Sequence, residues 1–124
     1  MNIRLQDGLA FVDANILYQG GCLALSRVLL DTGSASSVFS ADGLAKIGVF
    51  LEPADSLRRI RGVGGSEFVF VKTLEQLTVG FLQAKAFAVE VGALDYGLAQ
   101  DGILGMDFLL KTSAVIDLGT LCLS

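Results

Sequence analysis

Val28-Leu29-Leu30-Asp31-Thr32-Gly33-Ser34 places an acid directly after a run of three apolar residues. Such a run is typical of a buried strand, and the Thr32-Gly33-Ser34 that follows it is typical of a turn. Carboxylates are seldom fully buried without a partner, because the charged group loses its hydration there. Asp31 is therefore either the acceptor of a structural Asx turn or a group that takes part in acid–base chemistry.

The composition of the whole chain is that of one folded domain. Of its 124 residues, 52% are hydrophobic and 18% are charged, which argues against disorder and suggests apolar surface reserved for a partner. No linker divides the sequence, so we expect a single domain over residues 1–124. The net charge is −4, and the basic residues cluster only at Arg58, Arg59 and Arg61. We interpret these as a solvated strand face, with substrate contact as the alternative, and expect no nucleic-acid partner.

The residue types that the chain lacks exclude further classes of catalytic site. The chain has no histidine, which excludes the usual Ser-His-Asp and Cys-His nucleophiles and removes the commonest transition-metal ligand. Acid–base catalysis would then fall to carboxylates, lysine or tyrosine, and we expect neither a metal nor a cofactor. Cys22 and Cys122 are expected to be reduced core thiols, although the sequence leaves a disulfide between them open.

The first residues and the lengths of the apolar runs indicate where the protein is located. Residues 1–4 lead into a polar stretch with no apolar core of a signal peptide. No uninterrupted apolar run approaches the roughly 20 residues of a membrane span. We therefore expect a soluble, cytoplasmic protein without a membrane span, or a domain of a longer one.

Strand signals dominate the pattern. A hairpin is expected from 9–18 and 22–30 around a turn at Gln19-Gly20-Gly21, and further strands are expected at 67–72, 74–79, 86–91, 103–104 and 114–116. Two short helices are predicted, one capped by Ser40 over 41–47 with Gly48 after it, and one capped by Asp107 over 108–111. The sequence thus predicts an all-β domain with one or two short helices.

A weaker copy of the opening stretch occurs near the end of the sequence. Ala114-Val115-Ile116-Asp117-Leu118-Gly119-Thr120 repeats the order of apolar strand, acid, glycine and hydroxyl residue. Leu118 lacks the hydroxyl that Thr32 offers. We therefore interpret Asp117 as the acceptor of an Asx turn, with Gly119 in a left-handed conformation, placed away from Asp31.

Three elements, taken in order, resemble the retropepsin-like aspartic proteases. Leu29-Leu30-Asp31-Thr32-Gly33-Ser34 matches the signature of the catalytic loop in that family. Arg61-Gly62-Val63-Gly64-Gly65-Ser66 is similar to a flap hairpin, and Asp101-Gly102-Ile103-Leu104-Gly105-Met106-Asp107-Phe108-Leu109 follows the catalytic motif by about 70 residues. Met106-Asp107 and Ala35 replace charged residues of the retroviral members, so the chain resembles the cellular or bacterial branch more closely.

The resemblance implies an acid-protease barrel and a role for each matched residue. Ile103-Leu104-Gly105 would thread through a ψ-shaped loop beside the catalytic turn. Gly62-Val63-Gly64-Gly65-Ser66 would form the flap over the substrate, with apolar cover from Val63 and Phe68, although any hairpin needs a glycine-rich tip.

The resemblance also implies the unit of function. The chemistry of the family needs two carboxylates around one water, and this chain has one Asp-Thr-Gly motif. A C2 homodimer would bring two copies of Asp31 together and bind an extended peptide or protein substrate between them. Thr32 would hydrogen-bond across the axis, Gly33 would allow the tight turn, and Ser34 would donate to the catalytic carboxylate.

Two alternatives to an aspartic endopeptidase stay open. One is a catalytically silent retropepsin-like module for dimerisation or peptide binding, against which the intact Asp31-Thr32-Gly33-Ser34 motif argues. The other is an unrelated barrel in which the motif occurs by chance.

Overall fold

A computed structural model describes residues 1–62, 65–94 and 100–124, with the side chains of 60–62 and 65–67 left out. Within these ranges the chain is mostly β, as the sequence predicts. Its strands and helices, in chain order, are β1 (Arg4–Gln6), β2 (Leu9–Tyr18), β3 (Gly21–Leu30), β4 (Val38–Ser40), α1 (Ala41–Ala45), β5 (Leu57–Gly62), β6 (Gly65–Val79), β7 (Leu82–Gly92), β8 (Gly102–Leu104), α2 (Met106–Lys111), β9 (Ile116–Asp117) and β10 (Cys122–Leu123).

Six of the described strands close into a barrel. Neighbouring strands follow the order β2-β3-β8-β4-β7-β6, and β6 pairs back with β2 to complete the ring. β1 extends the barrel beside β2, and β5 extends it beside β6. Large apolar side chains fill the interior, among them Ile16, Val28, Phe39, Leu74, Leu104 and Phe108. The expected all-β acid-protease barrel is confirmed.

The first predicted hairpin forms as expected, around Gln19 and Gly20, which both have positive φ. The two strands predicted at 67–72 and 74–79 are one continuous strand, β6, because exposed Thr73 continues the alternation between inward and outward side chains. The buried strand predicted at 114–116 is wrong in two respects. Val115 is exposed, and of the three residues only Ile116 belongs to β9.

The helices are shorter or start earlier than predicted. Ser40 caps α1 by accepting a hydrogen bond from the Gly43 amide, but the helix ends at Ala45, and Gly48 follows with φ +82°. α2 begins at Met106 with Gly105 as its N-cap, so the prediction that Asp107 caps it is wrong.

Side-chain placement corrects two further expectations. Both cysteines are free, but Cys22 is exposed on β3 and is not a core thiol. Arg58 and Arg59 are neighbours on β5 and so lie on opposite faces, and Arg58 forms an ion pair with buried Glu90 at 3.1 Å. The basic cluster is therefore not one solvated face.

A buried lysine holds the loop between α1 and β5. The Lys72 side chain on β6 is 6% exposed, and its Nζ lies 2.5 Å from Glu52 Oε1 and 2.8 Å from Asp55 Oδ2. The two carboxylates compensate the lost hydration of the ammonium group. This contact fixes the loop against the barrel before the chain enters β5.

Candidate active site

The opening motif lies where β8 is inserted between β3 and β4. β8 runs parallel to β3, with Leu29 opposite Ile103 and Leu30 opposite Leu104, and antiparallel to β4 on its other side. The segment from Asp31 to Ser37 connects those two outer strands around the inserted one. This is the ψ-shaped arrangement that the resemblance implies, and it places Asp31 at the end of β3, where its amide donates to Leu104 O at 3.0 Å.

Gly105 allows the loop over residues 31–37 to close against the backbone between β8 and α2. A Cβ at this position would lie 2.5 Å from Ser36 O and 2.8 Å from Ser34 O. Real Cβ atoms do not approach backbone oxygen so closely, so any side chain here would displace the loop. The next residue along, Met106, donates its amide to Ser34 O at 2.8 Å. Close backbone contact, which the sequence predicted from this glycine, is confirmed.

The Asp31 side chain is half-buried. Oδ1 accepts a hydrogen bond from the Gly33 amide at 2.9 Å, which is the Asx turn that the motif predicted. Within the described ranges, no lysine or arginine pairs with the carboxylate and no second hydrogen bond reaches it. The turn therefore holds the group in place and leaves Oδ2 open. The structural and the chemical interpretations of Asp31 are compatible, because Oδ1 is used in the Asx turn and Oδ2 is left open for acid–base chemistry.

Thr32 and Gly33 are exposed, and Ser34 is half-buried. The hydroxyl of Ser34 donates to Ser36 O at 2.7 Å. A hydroxyl has one proton to donate, and Ser34 donates it to Ser36. The predicted hydrogen bond from Ser34 to the Asp31 carboxylate therefore does not form in this structure. Ser34 stabilises the loop internally instead.

Asp107 and Ser37 form a link that the sequence did not reveal. The fully buried Ser37 donates its hydroxyl to Asp107 Oδ1 at 2.7 Å and its amide to Asp107 Oδ2 at 3.0 Å. The Ser37 oxygen also accepts from the Gly105 amide at 3.0 Å. These bonds tie the end of the loop over residues 31–37 to α2. The signal in the sequence was an acid inside the first turn of a helix, which resembles an ordinary cap.

A groove of about 410 Å³ opens beside Asp31 and Thr32. Its walls are otherwise mainly apolar and come from β1, the β1–β2 turn, the start of β2, the end of β3 and the region of β9. They are formed by Leu5, Gly8, Leu9, Ala10, Leu29, Leu30, Ile116 and Leu118. A half-exposed carboxylate is thus placed at the rim of an apolar groove.

Comparison with known sequences agrees with this arrangement. The profile of a family described as "Aspartyl protease" matches residues 15–108, which include the Asp31 motif, β8 and the start of α2. The chain belongs to the aspartyl protease family. This confirms the retropepsin-like resemblance that the motifs predicted. No curated protein sequence matches the chain.

The structure describes part of the predicted flap. β5 and β6 form a hairpin in which Arg61 pairs with Ser66 and Gly62 with Gly65. Val63 and Gly64, the centre of the predicted tip, lie outside the described residues. Phe68 is 68% exposed, so one large apolar side chain is available on this hairpin. That the hairpin covers substrate stays a prediction.

Asp117, the acid of the weaker copy of the motif, accepts hydrogen bonds within a turn of its own. Asp117 Oδ1 accepts from the Gly119 amide at 2.9 Å and the Thr120 amide at 3.1 Å. These bonds, chiefly the one from the Thr120 amide, lower the pKa of Asp117 because they favour its charged form. The Asx turn is as predicted, but the residues with positive φ do not include Gly119, and it is Leu121 that has φ +52°.

Among the described residues, no group of three or more cysteine, aspartate or glutamate side chains is placed to hold a metal ion. No helix in those residues is long and apolar enough to cross a membrane.

Proposed function

We propose that this aspartyl protease is an endopeptidase whose active site forms between two copies of the chain. The observation that carries the proposal is the Asp31 carboxylate, fixed through Oδ1 by its own turn and open through Oδ2 at the rim of the groove. One such group is half of the pair that the chemistry requires. A C2 homodimer supplies the other half.

The proposed mechanism uses the two Asp31 carboxylates as one unit. Two carboxylates about 3 Å apart do not both ionise readily, so the pair holds one shared proton. The ionised member accepts a proton from a water held between them, and that water attacks the peptide carbonyl carbon. The protonated member donates to the carbonyl oxygen as negative charge develops there. As the C–N bond breaks, the nitrogen of the departing amine takes the proton that the first carboxylate accepted from the water. A hydroxyl of the tetrahedral intermediate returns its proton to the second carboxylate, which restores the shared proton of the pair.

The substrate would bind as an extended strand. The apolar walls of the groove favour apolar side chains next to the cleaved bond, and backbone groups of the β5–β6 hairpin would pair with the main chain of the peptide. Thr32, exposed beside Asp31, is available for the hydrogen bond across the axis.

Replacing Asp31 by Asn tests the chemistry. The purified chain and the Asp31→Asn variant are assayed with a mixed peptide library between pH 3 and 7, with cleavage read by mass spectrometry. We expect Asp31→Asn to lose at least about 10²–10⁴-fold in rate, which is the usual contribution of general acid–base catalysis. Asp42→Asn, which changes an exposed acid of α1, is the matched control and should retain activity. Equal cleavage by the wild type and Asp31→Asn would end the proposal, and so would a wild type with no activity on any peptide.

Mixing the two proteins tests whether the site is shared. If each site needs Asp31 from both copies, equal amounts of wild type and Asp31→Asn that exchange freely leave about a quarter of the dimers active. If each chain works alone, half of the activity remains. A silent dimerisation or peptide-binding module would show no cleavage in either case.

A further inference from the structure

A β-bulge interrupts β3 shortly before Asp31. Two residues of β3, Ser26 and Arg27, lie where the neighbouring strand β2 offers only Asp13. The pairing register on the two sides of this point therefore differs by one residue. A bulge of this kind bends the strand and redirects the side chains that follow it, and bulges are frequent next to active sites.

The bulge decides which face the end of β3 presents to the barrel. In a regular strand, side chains three positions apart point to opposite faces. Leu25 and Val28 are three positions apart, yet both lie in the core, 7% and 0% exposed. The extra residue between them thus shifts the alternation by one step. Without it, the side chains from Val28 to the end of the strand, where Asp31 follows, would point to the opposite face.

The backbone of the bulge is bound by residues outside the β2–β3 pair. Oδ2 of Asp101 accepts hydrogen bonds from the Arg27 amide at 3.0 Å and from the Ser26 amide at 3.3 Å. The Asp101 amide donates to Arg27 O at 2.8 Å, and the guanidinium of Arg4 donates to Ser26 O. All four backbone polar groups of the two bulged residues have a partner in this way. Because unmet backbone groups are costly, the bulge depends on these contacts, and three of the four are made by Asp101.

Asp101 also lies where the ladder that carries Asp31 begins. The three residues that follow Asp101 form β8 and pair in parallel with the last three residues of β3. The Asp31 amide continues this ladder by donating to Leu104 O. On the other side of β8, the Asp101 carbonyl accepts from the Ser40 amide at 3.0 Å. One residue therefore binds the bulge and sets the first step of the register that leads to Asp31.

We propose that Asp101 is a positioning residue for Asp31. By holding the bulge in β3, it directs the Asp31 carboxylate to the rim of the groove and, in the dimer, toward the second carboxylate. The inference rests on the proposed function and names a further residue on which the geometry of that site depends. Asp101 acts through the backbone of β3 and takes no part in proton transfer. Its effect on rate is large because a misplacement of about 1 Å in a catalytic site costs about 10²-fold.

Two substitutions at Asp101 and one control test the proposal. Asp101→Ala removes the acceptor of both amides. Asp101→Asn keeps one, because a single oxygen accepts both amides and the carbonyl oxygen of asparagine can replace it. Val79→Ala is the control for lost stability, since it removes buried methyl groups at the far end of β6, where Val79 pairs with Leu82. Circular dichroism confirms that each variant is folded at the assay temperature.

The first readout is the division of the effect between kcat and KM. We expect Asp101→Ala to lose about 10²-fold in kcat. The change in KM should be much smaller, because most of the groove walls lie outside β3. Asp101→Asn should recover most of the rate, and Val79→Ala should keep the wild-type kcat although it unfolds more easily. Rates are compared where the rate per chain no longer rises with protein concentration, so that a weaker dimer is not mistaken for a slower site.

Three kinetic results would overturn the positioning role. They are a wild-type kcat in Asp101→Ala, a loss confined to KM, and an Asp101→Asn variant as slow as Asp101→Ala. A kcat that falls equally in Val79→Ala would count against it as well, since lost stability would then explain the rates.

A second readout needs no cleavage and so separates this inference from the proposed function. The Gly33 amide donates to Asp31 Oδ1 at 2.9 Å, and its NMR resonance reports the position of that carboxylate. We expect the resonance to move in Asp101→Ala, to return toward the wild-type position in Asp101→Asn and to stay in place in Val79→Ala. A wild type that cleaves no peptide while Gly33 responds in this way would end the proposed function and leave the positioning of Asp31. An unchanged Gly33 resonance in Asp101→Ala would overturn the positioning, whether or not the wild type is active.

Discussion

The Ser37 hydroxyl donates to Asp107 Oδ1 at 2.7 Å and accepts from the Gly105 amide at 3.0 Å. One buried side chain thus joins the last turn of the catalytic loop, the residue after β8 and the first turn of α2. Since Asp31 lies on the same loop, the position of the carboxylate that we propose to be catalytic depends on this contact.

We expect Ser37→Ala to destabilise the fold by about 1–3 kcal/mol, because the Gly105 amide and the Asp107 carboxylate each lose a buried partner. Asp107→Asn and the double variant complete a cycle with urea unfolding as the measurement. Residues in direct contact should couple by about 0.5–3 kcal/mol. Ser26→Ala, at an exposed position on β3, should change stability by less than about 0.5 kcal/mol. Additive effects of Ser37→Ala and Asp107→Asn would show that the link contributes no stability.

Gly105→Ala is expected to be among the most damaging single-methyl changes in this chain. The new Cβ would lie 2.5 Å from Ser36 O, and the backbone around it is part of the ψ-shaped arrangement. We expect a loss of more than about 3 kcal/mol in thermal or urea unfolding, together with loss of peptide cleavage.

Gly43→Ala is the control for that substitution. Gly43 lies in α1, where a Cβ would meet only Ser40 Cβ at 3.8 Å. Alanine is a better helix former than glycine, so Gly43→Ala should raise stability by about 0.5–1 kcal/mol. If both glycines respond alike, the steric argument for Gly105 is wrong.

Ser34→Ala separates a role in the loop from a role in the chemistry. Because its hydroxyl donates to Ser36 O and does not donate to Asp31, the variant should unfold more easily by about 1 kcal/mol. The acid limb of its pH–rate profile should coincide with that of the wild type. A shift of that limb toward higher pH would instead indicate a hydrogen bond from Ser34 to the catalytic pair.

The Lys72 cluster predicts a pH-dependent part of the stability. Burial of Lys72 disfavours its charge, but hydrogen bonds to Asp55 and Glu52 outweigh that penalty and raise the pKa of the lysine. The hydrogen bond from Lys72 likewise lowers the pKa of Asp55 below its usual value. A lowered acid pKa stabilises the fold above the unfolded pKa of about 3.9, and the contribution disappears as pH falls through the folded pKa.

Lys72→Met should therefore lower the urea midpoint at pH 7, and the difference from the wild type should shrink below about pH 4. The raised pKa of Lys72 acts at the other end of the range. Its contribution is complete below the unfolded pKa of about 10.4 and is lost as pH rises through the higher folded value. Lys85→Met, on the exposed face of β7, should show no such pH dependence. A gap between Lys72→Met and the wild type that is constant from pH 3 to 7 would refute this account of Asp55.

Local patterns predicted most of what depends on neighbours in the chain. The turn at Gln19-Gly20, the Ser40 cap and the Asx turn at Asp31 each use groups within a few residues of one another, so their geometry is encoded in short stretches. The predictions failed where a distant partner competes for the same atom. Asp107 resembled a helix cap, but Ser37, 70 positions earlier, takes its carboxylate. Arg58 is exposed as the sequence predicts, but its guanidinium also pairs with buried Glu90, 32 positions later, which no local pattern indicates.

The sequence by itself determined the family, through an acid after an apolar strand and a glycine 74 positions later that tolerates no side chain. It also restricted the chemistry to carboxylates, because no histidine is present. Only the tertiary structure decided which oxygen of Asp31 is used by its turn and which groove the carboxylate borders. Those properties arise when β8 enters between β3 and β4 and when the two ends of the chain meet, and no local pattern records contacts across such distances.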